Sequence, residues 1–191
     1  EITGLDKLLA EQSAENGVLL FFKHSLHLEL DSRIIGMHAK IYGVERKHNS
    51  EYFQSIQNKG RLKSMVDVVD RKNTIRFMKW LKGGKTVLYA PDQDYGMNKS
   101  RRVNFFKNPA ATVSAPYKII QRTKCKTYFL NSYIKENKLC LDIEELNFND
   151  IDELNFLEDL NKFIENKIKL NPQEYLWQHR RFKSTFRDMY K

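Results

Sequence analysis

The run Gly17-Val18-Leu19-Leu20-Phe21-Phe22 contains no polar side chain. It is far shorter than the roughly 18 apolar residues of a membrane span and lacks helical spacing, so it reads as a buried strand. Gly17 also ends a first amphipathic helix marked by Leu5, Leu8 and Leu9. A second apolar run, Thr86-Val87-Leu88-Tyr89-Ala90, is broken by Pro91. Strands of this kind need cover on both faces, which in an alternating chain is supplied by helices.

The segments between and beyond these runs provide such helices. One is expected from Leu26 to Met37, followed by a short strand over Lys40–Val44. Asn49 or Ser50 can cap a helix passing through Tyr52, Phe53 and Ile56 to Gly60, and Asn73–Leu81 is amphipathic before Gly83-Gly84. A helix from Thr112 or Ser114 to Arg122 precedes two strands, Tyr128–Ile134 and Leu139–Ile143, joined by the polar turn Lys135–Lys138. Asp152 to Leu170 is the longest helical pattern, with Leu154, Leu157, Leu160, Ile164 and Ile168 on one stripe and Asn171-Pro172 as its stop. The rhythm is that of an α/β fold with a sheet flanked by helices. No repeat or linker interrupts it, and 191 residues at 41% hydrophobic content suffice for one core, so a single domain is expected.

A formal net charge of +9 favours an anionic partner, whether nucleic acid, lipid headgroups or an acidic protein. Cys125 and Cys140 have no metal-ligand spacing and read as small core residues of a reducing compartment. No stretch is apolar enough for a transmembrane helix, and no signal peptide is expected in these residues.

The chemistry starts where the first strand ends. His24 leaves that strand and Glu29 follows five positions later. On a helix such a spacing turns through about 140°, so the pair meets only if His24 precedes the helix and Glu29 lies within it. A histidine so placed can act as a general base near neutral pH with a carboxylate to orient it. His24, His27 and Asp31 share one helical face and form a rival set of zinc ligands. Asp92-Gln93-Asp94-Tyr95-Gly96 follows the second strand, where α/β sheets bind ligands; the alternative is an Asx turn closed by Gly96. The tail segment His179-Arg180-Arg181-Phe182-Lys183 interleaves cations with aromatics, a pattern shared by nucleic-acid and membrane-interface surfaces.

In order, these blocks resemble the late acyltransferases of lipid A biosynthesis, the lauroyl/myristoyl transferase family within the lysophospholipid acyltransferase-like superfamily. The likeness is carried by Gly17–Gly36 with its histidine, four residues and an acid, and by Tyr42-Gly43-Val44-Glu45-Arg46. Asp70-Arg71-Lys72, Lys82–Lys85, Pro91–Gly96, Asn108–Thr112 and Pro172–Lys183 continue it.

The resemblance implies a mixed, mostly parallel sheet of the glycerolipid acyltransferase type. It also implies transfer of a fatty acyl chain from an acyl carrier protein thioester to the hydroxyl of a 3-hydroxyacyl chain on a lipid A precursor. On the same ground His24 and Glu29 are the catalytic residues, while Ser25, His27, Arg46, Lys47, Asp92, Gln93 and Asp94 are substrate-binding. No metal, nucleotide or other cofactor is implied. The implied partners are acyl carrier protein, the lipid A precursor and an anionic membrane surface, not nucleic acid. The implied location is the cytoplasmic face of the inner membrane. Relatives carry an N-terminal membrane-anchoring segment that is not found in this chain. The competing function is a truncated relative that binds anionic lipid without turnover.

Overall fold

The structure, a computed structural model, describes residues 1–148 and 151–190. In chain order its elements begin with β1 (Ile2–Thr3), α1 (Leu5–Ser13), β2 (Val18–Phe22), α2 (Leu28–His38), β3 (Ile41–Glu45) and α3 (Glu51–Arg61). They continue with β4 (Asp67–Asp70), α4 (Thr74–Lys82), β5 (Thr86–Tyr89), β6 (Ser100–Phe105) and β7 (Asn108–Val113). The last are α5 (Ala115–Thr123), β8 (Lys126–Lys135), β9 (Lys138–Leu146) and α6 (Glu153–Leu170). Two compact units result. The first takes residues 1–22, 27–89 and 123–146; the second takes 23–26, 90–122 and the chain from Asn147.

The first unit holds a seven-stranded sheet in the order β1-β9-β8-β2-β5-β3-β4. Only β8 and β9 pair antiparallel; the other pairings are parallel. This is the expected α/β class with a mixed, mostly parallel sheet and helices between its parallel strands. Val18, Leu19, Leu20 and Phe21 of β2 are all fully buried, as a strand covered on both faces requires. On one face Val18 and Leu20 join Leu8 of α1, Ile35 and Ala39 of α2, and Ile41 and Leu88 of the neighbouring strands. On the other, the ring of Phe21 meets Tyr89 edge-on, and Tyr89 in turn meets Phe77 of α4.

Local chemistry sets most boundaries. The hydroxyl of Ser50 accepts the Phe53 N–H, and the Asn73 amide oxygen accepts that of Arg76. Asp152 accepts from both Leu154 and Asn155 at the start of α6. The β8–β9 hairpin turns at Glu136 and Asn137, both with positive φ (51° and 59°), the geometry of a two-residue hairpin loop.

The second unit contains the β6–β7 hairpin, packed against α6, and the C-terminal segment. This hairpin escapes sequence analysis because it turns at Phe106-Lys107, also with positive φ (49° and 64°) but with side chains that do not signal such a turn. Of the two expected starts for the next helix, Thr112 belongs to β7, and Ser114 is the one that immediately precedes α5. On α6, Leu157, Leu160, Ile164 and Ile168 are buried as expected, whereas Leu154 is half exposed and Phe156 is buried instead. Asn161, buried on the same helix, donates to the Asn104 carbonyl and to Thr112 Oγ1. Among the described residues no helix is long and apolar enough to cross a membrane.

Gly17 enters β2 with its backbone against α4: a Cβ there would lie 2.0 Å from the Leu81 carbonyl oxygen. Gly17→Ala should therefore destabilise the fold by about 1–3 kcal/mol through overpacking, read as a lower urea midpoint at unchanged slope. A midpoint equal to wild type would show that the two segments separate freely.

Candidate active site

Strands β2 and β5 lie side by side and parallel, with Phe21 opposite Tyr89. The same offset of 68 residues separates His24 from Asp92, each a few positions beyond the end of its strand. The backbone N–H of His24 donates to Asp92 Oδ2 at 2.9 Å, and its Nδ1 lies 2.6 Å from Oδ1. Both oxygens of one carboxylate thus serve one histidine.

Asp92 is fully buried. Burial alone would raise its pKa, and this is the largest single influence. The charge of His24, the two hydrogen bonds from that residue and the Tyr175 hydroxyl together outweigh it and bring the carboxyl down to about 2. An ionised Asp92 is acceptor-only, so Nδ1 of His24 carries the proton.

The C-terminal segment builds the rest of this centre. The Leu26 N–H donates to the Glu174 carbonyl and the Leu176 N–H to that of His24, with Ser25 bridged antiparallel to Tyr175. Ser25 and Tyr175 are both buried. Asp94, also fully buried, accepts the Gly96 N–H and the Ser184 hydroxyl at Oδ1 and the Ser184 N–H at Oδ2. The Asx turn is therefore present, and the carboxylate also fastens the tail. His179 Nε2 accepts the Asp94 N–H at 2.9 Å. Burial, helped by the nearby charge of Lys183, lowers the His179 pKa to about 4, so this imidazole is neutral. Arg181 is buried, donating to the Ala111 carbonyl (2.7 Å) and Thr112 Oγ1 (2.9 Å). Far from being wholly a basic outer surface, the tail is partly interior. Gln93 accepts a long hydrogen bond from the Tyr95 hydroxyl.

Glu29 belongs to a different set. It lies in the first turn of α2 with its side chain 55% exposed, and its carboxylate meets Arg61 in a two-pronged contact. Arg61 also binds Glu45, which accepts from the buried Gln54. Burial would lower the Arg61 pKa, but the hydrogen bonds and charges of the two glutamates hold it above its ordinary value. The carboxylate on the imidazole of His24 is thus Asp92, and the partner of Glu29 is an arginine that sequence analysis overlooked. No local signal could have found it, since Arg61 and Glu29 are 32 residues apart. Arg33, Lys63 and Arg61 line a cleft of about 400 Å³ together with Phe53 and Ile56.

His27 Nδ1 lies 2.8 Å from Asp31 Oδ1, whose other oxygen accepts the Ser132 hydroxyl. Asp31 is thus a linker in a buried polar network. Among the described residues no group of three His, Cys, Asp or Glu side chains could hold a metal ion, which removes the basis of the zinc reading of His24, His27 and Asp31. Arg46 is exposed beyond β3, and Lys47 beside it donates its backbone N–H to Asp70.

His179 gives a pH signature. An unfolded imidazole titrates near about 6.5, the folded one at about 4. Between these values the unfolded chain binds more protons, so stability is full above about 6.5 and declines toward pH 4. His179→Gln, which keeps an acceptor for the Asp94 N–H, should flatten that decline when urea midpoints at pH 7 and pH 4.5 are compared. An equal decline in both proteins would show that His179 is not its source. The depressed carboxyl of Asp92 adds a second, lower window, its contribution being lost as pH falls from about 4 toward about 2.

A family profile described as bacterial lipid A biosynthesis acyltransferase matches residues 1–184. The chain is 31% identical over 189 residues to the lipid A biosynthesis palmitoleoyltransferase of Escherichia coli (strain K12), covering 96% of this chain and 61% of that protein. It is 32% identical over 189 residues to the lipid A biosynthesis lauroyltransferase of the same organism, covering 96% and 62%. To a lipid A biosynthesis acyltransferase of Haemophilus influenzae it is 31% identical over 194 residues, covering 96% and 60%. The chain thus spans about three fifths of the length of the curated relatives it matches. From a match that runs through nearly every described residue, the chain belongs to the bacterial lipid A biosynthesis acyltransferase family.

Proposed function

We propose that this protein is an acyltransferase that moves a fatty acyl chain from an acyl carrier protein thioester to the hydroxyl of a 3-hydroxyacyl chain on a lipid A precursor. The observation that carries this reading is the His24–Asp92 pair: a buried, ionised carboxylate holding Nδ1 of an imidazole. Nε2 takes the hydroxyl proton as the acceptor oxygen attacks the thioester carbonyl. The tetrahedral adduct collapses with loss of the carrier-protein thiolate, which recovers the proton from the imidazolium. The products are an ester and a free carrier-protein thiol. Asp92 stabilises the imidazolium while it exists, and no acyl-enzyme or cofactor is required.

Glu29 enters this reading through Arg61. Its carboxylate orients a guanidinium that, with Arg33 and Lys63, makes one wall of the cleft cationic, while Phe53 and Ile56 make another apolar. We assign the cleft to an anionic, acyl-bearing substrate, since phosphate suits the forked donor and hydrocarbon the apolar wall. Ser25, Arg46, Lys47 and Gln93 remain candidate substrate contacts on the strength of their family blocks. The net charge of +9 suits an acidic carrier protein and the anionic cytoplasmic face of the inner membrane.

A mass-spectrometric assay with phosphorylated lipid A precursor and loaded acyl carrier proteins tests the proposal. Wild type should add one acyl group. His24→Ala and Asp92→Asn should lower the rate by about 10²–10⁴-fold while remaining folded. Wild-type turnover by His24→Ala would sink the mechanism. Lipid bound without any mass gain, in wild type, would instead support a relative that binds anionic lipid without turnover.

A further inference from the structure

Two neighbouring helices of the first unit are turned inside out. The one side chain that α3 buries is Gln54. Its amide oxygen accepts the His48 N–H at 2.5 Å, and its amide nitrogen donates to Glu45 at 2.5 Å and to Asn58 at 2.8 Å. The apolar residues of the same helix face outward: Tyr52 is 79% exposed, and Phe53 and Ile56 are each about half exposed. α2 repeats the inversion. Two of the three side chains it buries are Asp31 and Ser32, whereas Leu30 is half exposed and Met37 is 72% exposed. A helix packed only to face water does the reverse, as α4 does with Phe77 and Leu81 buried.

These exposed groups lie on adjoining, fixed surfaces. α2 and α3 are in contact, and the Glu29–Arg61 ion pair fastens one to the other. Gly36 of α2 packs so closely that a Cβ there would lie 2.2 Å from the carbonyl oxygen of Ser64, just beyond α3. Leu30, Arg33 and Met37 follow one another at helical spacing on the outer stripe of α2, and Tyr52, Ile56, Lys59 and Lys63 do the same along α3. Arg33, Lys59 and Lys63 are exposed. Of the acids on these helices, Glu29 is taken up by Arg61, Asp31 is buried, and Glu51 sits at the start of α3. The face is thus apolar and cationic together.

Single exposed apolar residues are ordinary, but a contiguous patch marks a surface that meets something other than water. A second copy docked about a two-fold axis would set the cations of one face among those of the other. A bilayer with anionic headgroups satisfies both halves of the pattern, since apolar side chains enter its acyl boundary while cations stay at the phosphates.

We propose that the α2–α3 face docks on an anionic lipid bilayer. Leu30, Met37, Tyr52, Phe53 and Ile56 enter the headgroup boundary, and Arg33, Lys59 and Lys63 meet lipid phosphates. The inference deepens the reading of the cleft as a lipid site and rests on that reading for its choice of partner. Arg33, Phe53, Ile56 and Lys63 line that cleft, so the substrate assigned to it meets the protein where the protein meets the bilayer.

The test is flotation of the chain with phosphatidylcholine vesicles, with and without phosphatidylglycerol, at low and high salt. Wild type should float with the anionic vesicles and be released by salt. Leu30→Gln/Met37→Gln/Tyr52→Ser, which spares the cleft lining and the His24–Asp92 pair, should bind at least about tenfold more weakly at an unchanged urea midpoint. Should that variant fold poorly, Met37→Gln/Tyr52→Ser carries the same test on the two most exposed positions. Lys59→Gln should weaken binding about fivefold at low salt. Ile75→Gln, which alters a 70% exposed residue of α4, should bind as wild type does. A wild type that ignores anionic vesicles, or a folded Met37→Gln/Tyr52→Ser protein that binds them undiminished, overturns the proposal. So does a lipid-free dimer that the same variant dissolves, which would give the face to a second copy. Loss of acyl carrier protein binding with vesicle binding intact would overturn it in favour of an acidic protein. These vesicles hold neither thioester nor acceptor, so a wild type that floats but transfers no acyl group overturns the proposed function alone.

Discussion

A carboxylate with no access to water is tolerable only if its charge is met, and Asp92 imposes that condition on everything around it. It is met by a backbone N–H and a ring N–H from one histidine. The consequence is chemical. The carboxylate stays ionised, and the ring nitrogen of His24 that faces it carries the proton. Most of the second unit can be read as the apparatus that keeps this arrangement dry and in register. The tail segment backs the histidine, Asp94 fastens the loop to Ser184, and α6 carries Asn161 to brace the β6–β7 hairpin.

The parallel pairing of β2 and β5 makes the encounter of His24 and Asp92 reproducible. Each strand is short, and its register is held by residues buried on both faces, where a one-residue slip would exchange the two packed faces. Two chains leaving adjacent parallel strands in fixed register bring a constant offset of residues together. The helices between parallel strands serve a second purpose in the first unit. The start of α2 and the end of α3 contribute Glu29 and Arg61, which meet over Glu45 of β3. Charged groups gather there because strand and helix ends are where backbone leaves the apolar layer.

Legibility followed physical range. Capping residues, the Gly17 stop, the apolar run of β2 and the stripe of α6 are local signals, and each marks an element close to where it lies. The exceptions are instructive. Leu154 has the right spacing for the α6 stripe, but near a helix start the buried face is chosen by what packs there, and Phe156, with Phe148 and Tyr117 against its ring, takes that place. The Phe106-Lys107 turn adopts positive φ without glycine or asparagine, so the hairpin it closes is invisible to turn chemistry. Tyr175 and Arg181 stand in a tail whose cations and aromatics read as a surface; burial against the β6–β7 hairpin and the segment around Ser25 is a property of contact, not of composition.

The pattern of apolar runs and amphipathic helices was enough to specify an α/β sheet, and the ordered blocks of residues were enough to specify the family. Both are written in short-range spacing and residue type. The pairing of charges was decided only by tertiary structure. His24 and Glu29 are neighbours in sequence, yet the carboxylate on the imidazole comes from Asp92, 68 residues away, and Glu29 meets an arginine 32 residues away. Strand register brings residues distant in sequence to hydrogen-bonding distance, which no local spacing records.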